Sequence, residues 1–478
     1  MHVTRIGGII VLLLILCRLW VTYRGTGGLT LLSASESDVG KTDLATLGFV
    51  RRADVGGHIR LSSTIKYIQS CVQLSRDLPV DRSNVTKVAP RLIVEPIEAR
   101  LDQPGSLQIE PCDAILLPFE NAYPRSAKYK HLAFGMATSL VRLSRSVAPI
   151  AHWASDRGTL LVVVIEDYIG HEDEVADLLA QFDSLKINAI FAPPIASNHS
   201  MSQSHFAVLS KMLAESGPET KWFALLDDDT FFPHLEPLST ALSSLDHDNK
   251  DLYVGGLTED WGSLTRFGLM AYGGAGVYLS AHLARKIGKL DQLLQCIEES
   301  PPQLGDIIIR DCVYRHSQAR LTVLPNLYQH DLLGDLRGFF ESGVDPLNLH
   351  HWKSWYSEPV VSMAQATNFC GNCFLQRFIF GNDTVLSNGY SITVYPKGVD
   401  SLNLNKIERT WGNVYAGEDP KYEYSMGALR DRVPDSDHKT YYLKYTEARA
   451  DLMRQLYVWK GVEERGVPDE VVELVWRR

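Results

Sequence analysis

The chain has no excess of positive charge: 57 Asp and Glu stand against 47 Lys and Arg, a formal net charge of −10. That argues against nucleic acid as a general partner, because phosphate binding needs a basic footprint. There is no internal repeat and no low-complexity array, so solenoids and biased linkers drop out. Cysteine is scarce, 7 in 478 residues, and only Cys370-Gly-Asn-Cys373 has metal-ligand spacing. Without a second such pair a structural zinc site has little support. No DxDx[TV]-type strand stands near the start of the α/β region, which ranks a metal-dependent phosphohydrolase last. A long apolar run is also missing, except for IGGIIVLLLILC at 6–17. That run is short for a bilayer-spanning helix and fits the apolar core of a signal peptide about as well. Arg18 can snorkel, however, and Leu19, Trp20, Val21 and Tyr23 extend the stretch with interfacial aromatics. No cleavage site is obvious, since the small residues Ser33-Ala34-Ser35 lie far downstream. The pattern predicts an uncleaved signal anchor over 1–23, with a cleaved signal as the alternative. Either sends the rest of the chain into the secretory lumen.

What is present fits that compartment. Hydrophobic residues at 45% and charged residues at 22% allow a substantial core. Six cysteines remain outside the apolar segment, which suits three disulfides of open connectivity. Asn84-Val-Thr, Asn198-His-Ser and Asn382-Asp-Thr are N-glycosylation acceptors.

Residues 24–124 mix Ser/Gly/Asp-rich pieces with short apolar runs and read as a stem. From 125 to 357 strands and helices alternate. Strands are expected at 131–136, 159–165, 187–191, 222–226 and 252–254, and helices at 139–153, 172–182, 205–215 and 235–245. Strands alternating with helices imply a mostly parallel sheet whose ligands bind at the strand C-termini. Residues 358–478 read as a β-rich appendage, with strands at 374–380, 390–395 and 441–445 and a helix at 446–456.

The run KWFALLDDDTFF (221–232) ends a strand in three carboxylates, Asp227, Asp228 and Asp229. Strand ends in open α/β sheets present ligand sites, and adjacent like charges are best tolerated beside a cation. Asp227 and Asp229 share one side of an extended segment. Hard oxygen ligands suit Mg²⁺ or Mn²⁺, which suit a diphosphate. A solvated acidic turn is the competing reading of the triplet alone.

Three blocks then fall in order: KWFALLDDDTFF, AYGGAGVYLS (271–280) and YQHDLLGDLRGFFESGVDPLNLHHW (328–352). Together they resemble the Fringe-like inverting glycosyltransferases of glycosyltransferase family 31, and the last block resembles the Fringe-related proteins of fungi and plants more than Fringe itself. The resemblance covers roughly 130–356. It implies an α/β fold of the GT-A, nucleotide-sugar-binding (Rossmann-like) kind, here carrying an N-terminal signal anchor and a β-rich C-terminal appendage. It implies a Golgi or ER membrane protein of type II topology, using a UDP-sugar donor, a glycan or glycoprotein acceptor, and Mn²⁺ (or Mg²⁺) to form a β1,3-type linkage.

By the same resemblance Asp229 and His351 ligate the metal, with Asp227 on the metal, its waters or the ribose and Asp228 among the donor contacts. His350 and, as a fallback, His330 are the other candidate ligands; a packing pair beside Trp352 and Trp355 is the competing reading for His350-His351. Gly273, Gly274 and Gly276 let backbone approach the donor, or serve only a tight turn. Thr138 and Asp167 are expected near the nucleotide base, and Trp153 in the core. The catalytic base is expected at Asp306, in Gly305-Asp306-Ile307, where the family places two acids; Asp311 is the alternative, and a helix N-cap the bland role for Asp306. The missing second acid supports a rival function, a catalytically silent lumenal glycan-binding or scaffolding protein.

Overall fold

The computed structural model describes residues 47–103, 109, 112–120, 122–124, 126–300, 305–412 and 421–478. By compactness the chain divides into Met1–Phe49 with Gly105–Pro111, and Val50–Pro104 with Cys112–Arg478. Every strand below belongs to the second unit. Among the described residues no helix is long and apolar enough to cross a membrane; the anchor expected at 1–23 lies outside them.

Four strands come first: β1 (Thr64–Ser75), β2 (Thr86–Val88), β3 (Ile97–Arg100) and β4 (Ala114–Pro118). The alternating region follows, with β5 (Leu132–Thr138), β6 (Leu160–Ile165), β7 (Ala189–Ala192), β8 (Trp222–Leu225), β9 (Tyr253–Gly255), β10 (Val277–Ser280) and β11 (Leu321–Val323). These seven form one sheet in the order β11-β9-β10-β8-β5-β6-β7. Every residue of β5, β6 and β8 is buried, as parallel strands covered by helices on both faces must be. The helix expected at 139–153 is two, Leu140–Arg145 and Val147–Ala154, divided at Ser146.

The registers bring the functional loops to one edge. Strands β5, β6, β7 and β8 run parallel, so Thr138, Asp167 and the Asp triplet all leave the same end. Strand β10 is antiparallel to both β8 and β9, with Val277 opposite Leu225 and Gly255. Its N-terminal side, Gly273 to Gly276, therefore meets the triplet. Strand β11 is parallel to β9, with Val323 opposite Gly255, which delivers the segment before His330 to that edge too.

The C-terminal strands are β12 (Arg377–Phe380), β13 (Thr384–Ser387), β14 (Ser391–Val394), β15 (Ile407–Glu408), β16 (Tyr422–Glu423), β17 (Gly427–Arg430), β18 (Lys439–Ala448), β19 (Leu452–Trp459) and β20 (Asp469–Arg477). Strand β1 lies parallel to β20, from Ile65 beside Asp469 to Gln73 beside Arg477. One ten-stranded sheet therefore draws on both the segment expected as a stem, 24–124, and the module expected at 358–478. The helix expected at 446–456 is corrected: it is the end of β18 and most of β19. Six consecutive residues of β19 are buried because the strand lies between β18 and β20. Periodicity alone does not separate such a run from a buried helix.

The three disulfides are Cys71–Cys112, Cys296–Cys312 and Cys370–Cys373, with Cα atoms 5.7, 5.4 and 5.5 Å apart. The last uses both cysteines that had zinc-like spacing.

The segment after β11 is tied to the C-terminal strands by buried charge. Arg337 is 1% exposed and meets Glu408 at 2.7 Å and Glu341 at 3.3 Å. Arg430 closes the cluster on Glu408 at 2.6 Å, and the Tyr395 hydroxyl accepts from Arg337 at 2.7 Å. Removing one partner leaves charge buried and uncompensated, so Arg337→Ala is expected to lose about 3–5 kcal/mol of unfolding free energy in urea. A loss below about 1 kcal/mol, the range of an exposed pair, would contradict that role.

Candidate functional site

The site begins with an isolated antiparallel bridge. Phe231 N–H donates to the Leu349 carbonyl at 2.8 Å and Leu349 N–H to the Phe231 carbonyl at 2.7 Å. Carried one and two residues further, that register brings the residues before Phe231 against those after Leu349, so Asp229 meets the histidine pair. Potential metal-ligating atoms of Asp229, His350 and His351 all lie within 4.8 Å of one another.

Each ligand candidate is oriented by a neighbour. His350 Nδ1 contacts the Gln329 carbonyl at 2.7 Å, while Nε2 lies 3.1 Å from Asp229 Oδ1 and 3.6 Å from Asp227 Oδ2. A ring nitrogen held by a carbonyl leaves the other free to ligate, the usual arrangement of metal-binding histidines. His351 contacts Asp331 Oδ1 through Nε2 at 3.1 Å and Ser354 Oγ through Nδ1 at 3.1 Å, and its ring lies parallel to Trp355 with centroids 4.3 Å apart. It holds φ at 61°, an unusual conformation for a non-glycine residue and one that clusters at functional sites. Ser354 Oγ also donates to Asp229 Oδ2 at 3.1 Å.

Electrostatics agree with a cation site. Burial alone would raise the Asp229 pKa, but the His350 hydrogen bond, the charges of His350 and His351, and Lys353 hold it well below the usual carboxylate range. Burial opposes the His350 imidazolium, yet Asp229 and Asp227 outweigh it and raise the ring to about 9. The carboxylates demand positive charge at this point, and one carboxylate with two imidazoles is a donor set able to hold a divalent metal ion without selecting which one.

The three aspartates have separate fates. The Asp227 side chain is 43% exposed and faces the open side. Asp228 is buried and engaged: Arg142 grips both its oxygens, Thr138 Oγ1 donates to Oδ2, and Lys353 Nζ lies 3.5 Å from Oδ1. Thr138, expected at the nucleotide base, thus serves Asp228. Asp167 accepts from the Leu140 N–H at 2.8 Å and anchors the helix that follows β5.

The glycine segment makes room for protein side chains. Gly273 N–H donates to Asp306 Oδ2 at 2.9 Å, and a Cβ on Gly273 would stand 2.6 Å from Asp306 Oδ1. A Cβ on Gly274 would collide with the His350 ring. Gly276 has φ +90°, which only glycine adopts readily. Asp306 is the second residue of the helix Gly305–His316 rather than its N-cap, and its carboxylate turns to Gly273. Burial, then the nearby Asp227 charge, raise its pKa to about 6. Asp311 pairs instead with Arg310 at 2.7 Å. His330 is fully buried with Nδ1 on the Tyr328 carbonyl, outside the ligand cluster. Trp153 packs against Phe134 and Phe232 in the core.

Sequence reasoning ranked His351 above His350, whereas the structure brings both to Asp229. It missed Arg142, Lys353 and Ser354 around the triplet, although Lys353 and Ser354 directly follow the histidine block. It also missed His205, buried with Nδ1 3.9 Å from Asp227 Oδ1; nothing in its helix singles it out.

A family model described as a protein of unknown function, DUF604, matches residues 265–465. No curated protein matches the chain. Solved structures that match in part include mouse xyloside xylosyltransferase 1 in its apo form, 15% identical over 41% of this chain and 84% of that one, with a TM-score of 0.29. The mannosyltransferase PcManGT from Pyrobaculum calidifontis, in complex with GDP-Man and Mn²⁺, is 11% identical over 44% and 59%, with a TM-score of 0.30. A glycosyltransferase involved in glycosylating the major capsid of PBCV-1 is 13% identical over 47% and 96%, with a TM-score of 0.27.

Gly274→Ala is expected to displace the His350 ring and weaken Mn²⁺ binding by about tenfold or more, read by calorimetry with UDP present. Unchanged Mn²⁺ affinity would show that the close approach has no bearing on the metal.

Proposed function

We propose that this chain is a divalent-metal-dependent inverting glycosyltransferase, taking a sugar from a UDP-sugar to a hydroxyl of a glycan or glycoprotein, by resemblance through a β1,3-type linkage. The observation that carries this reading is the Asp229, His350 and His351 cluster standing at the same sheet edge as Asp306. Asp229, His350 and His351 would hold the ion, which would supply positive charge against the departing diphosphate. Asp227, the exposed member of the triplet, stands beside them with His350 Nε2 at 3.6 Å, where it would meet the donor. Arg142 and Lys353 neutralise Asp228, so the triplet carries less net repulsion than its sequence implies.

Asp306 acts at the attacking side. Gly273 N–H fixes one of its oxygens, and the carboxylate takes the proton from the acceptor hydroxyl as that oxygen bonds to the anomeric carbon and the diphosphate leaves. A pKa raised to about 6 by burial and Asp227 leaves the group ionised at neutral pH while keeping it a stronger base than an exposed aspartate. We also infer a lumenal, membrane-anchored setting in the Golgi or ER; the three disulfides support an oxidising compartment.

Calorimetry with UDP and Mn²⁺, and UDP-sugar hydrolysis and transfer, test the reading together. Wild type is expected to bind UDP only with the metal, and Asp229→Ala to weaken that binding by more than about tenfold. Absence of any metal-dependent UDP binding in wild type would overturn the enzyme and favour the silent glycan-binding alternative. Asp306→Asn is expected to keep UDP binding and lose about 10²- to 10⁴-fold in transfer. Because the base works ionised, transfer by wild type should fall as pH drops through about 6. A profile flat from pH 5 to pH 8, with transfer surviving in Asp306→Asn, would move the base elsewhere.

A further inference from the structure

Trp153, Trp222 and Trp476 are fully buried, whereas Trp261 is 39% and Trp355 40% exposed; Trp355 lies parallel to the His351 ring, while among the described residues the face of Trp261 is not stacked on a site residue. Trp261 is the first residue of the helix Trp261–Phe267, which leaves the end of β9. Three positions earlier, the buried Thr258 hydroxyl donates to Asp331, the residue that orients His351. From the other side, the Tyr272 hydroxyl donates to the carbonyls of Ser263 and Gly268, each at 3.2 Å, and locks this helix to the residue preceding Gly273. Gly273 is in turn the partner of Asp306. The exposed indole is thus tied by short hydrogen-bonded paths both to the metal side and to the base.

Its ring is also held in place. Tyr424, contributed by the C-terminal strands, sets its ring edge-on to Trp261 with centroids 5.2 Å apart at 65°, and its hydroxyl donates to the Thr258 carbonyl. An indole whose edge is held by Tyr424, from the turn between β16 and β17, and whose face stays partly open offers a fixed apolar surface for stacking. The class of ligand that combines an apolar ring face with hydroxyls for a polar surround is a pyranose.

We propose that Trp261, braced by Tyr424, is the platform of the acceptor subsite, on which a sugar ring of the acceptor stacks while its hydroxyl is presented to Asp306. The proposal rests on the transferase reading and adds the acceptor side to it. It gives the C-terminal strands a part in acceptor binding, through Tyr424. Sugar stacking on Trp261 brings the attacking oxygen to a base already positioned by Gly273, so a change at this ring acts on acceptor binding and leaves the ion and nucleotide in place.

Saturation-transfer NMR on the full chain, loaded with UDP and Mg²⁺ as a diamagnetic substitute for Mn²⁺, tests this with phenyl β-glycosides of galactose, glucose, N-acetylglucosamine and N-acetylgalactosamine. Wild type is expected to transfer saturation to the ring protons of at least one glycoside. Trp261→Ala should weaken that binding by about tenfold, Trp261→Phe by less, and UDP binding by both variants shows that they fold. Tyr424→Phe, which keeps the ring and loses only the hydroxyl, should fall between wild type and Trp261→Ala. Binding of none of the four glycosides by wild type that holds UDP, or equal binding by Trp261→Ala, overturns the subsite. Failure of wild type to bind UDP with a divalent ion overturns the transferase reading instead.

Discussion

Two backbone hydrogen bonds between Phe231 and Leu349 set the geometry on which this site depends. They pair the end of a buried strand with a loop far along the chain. Any other register would carry the histidines past Asp229, because successive side chains of an extended segment point to opposite sides. The bridge in turn rests on buried packing. Phe231 and Leu349 are both in the main core, and the loop that ends at His351 is held from behind by Asn348, whose amide donates to the Tyr328 and Gly274 carbonyls.

Charge then divides the triplet into parts with different tasks. Asp228 is buried against Arg142 and Lys353, a pairing that keeps one carboxylate of the three from repelling the others. Asp229 is turned to the imidazoles, and Asp227 is left open. Across Gly273 from Asp227, Asp306 is raised by burial and then by the Asp227 charge, which outweigh the opposing pull of His205 and His350. Asp229 and Asp306 are thus like groups whose surroundings push their pKa values in opposite directions, the condition under which one site can give two carboxylates different roles.

Much of this was legible in the chain. Apolar runs located β5, β6 and β8, the last two ending in acidic residues, and the order of DDD, GGAG and HHW located the site's edge. The meaning of particular residues was less legible. Gly273 and Gly274 were expected to admit a donor, but the side chains they admit are Asp306 and His350. The burial of Asp228 depends on Arg142, which lies on a different element and carries no motif. The pairing of β1 with β20 joins strands from opposite ends of the chain, and no local pattern encodes such a partner. In β19 burial on both faces erased the alternation that marks a strand.

The central claim is that Asp229, His350 and His351 hold one divalent ion. Pulsed electron paramagnetic resonance of the protein with Mn²⁺ and UDP tests it most directly, since a nitrogen ligand couples its nuclear spin to the manganese. The account predicts one bound Mn²⁺ showing imidazole nitrogen coupling that weakens in His350→Ala and in His351→Ala and vanishes when both are replaced. Bound Mn²⁺ with no nitrogen coupling, or coupling unchanged in the double variant, would contradict it.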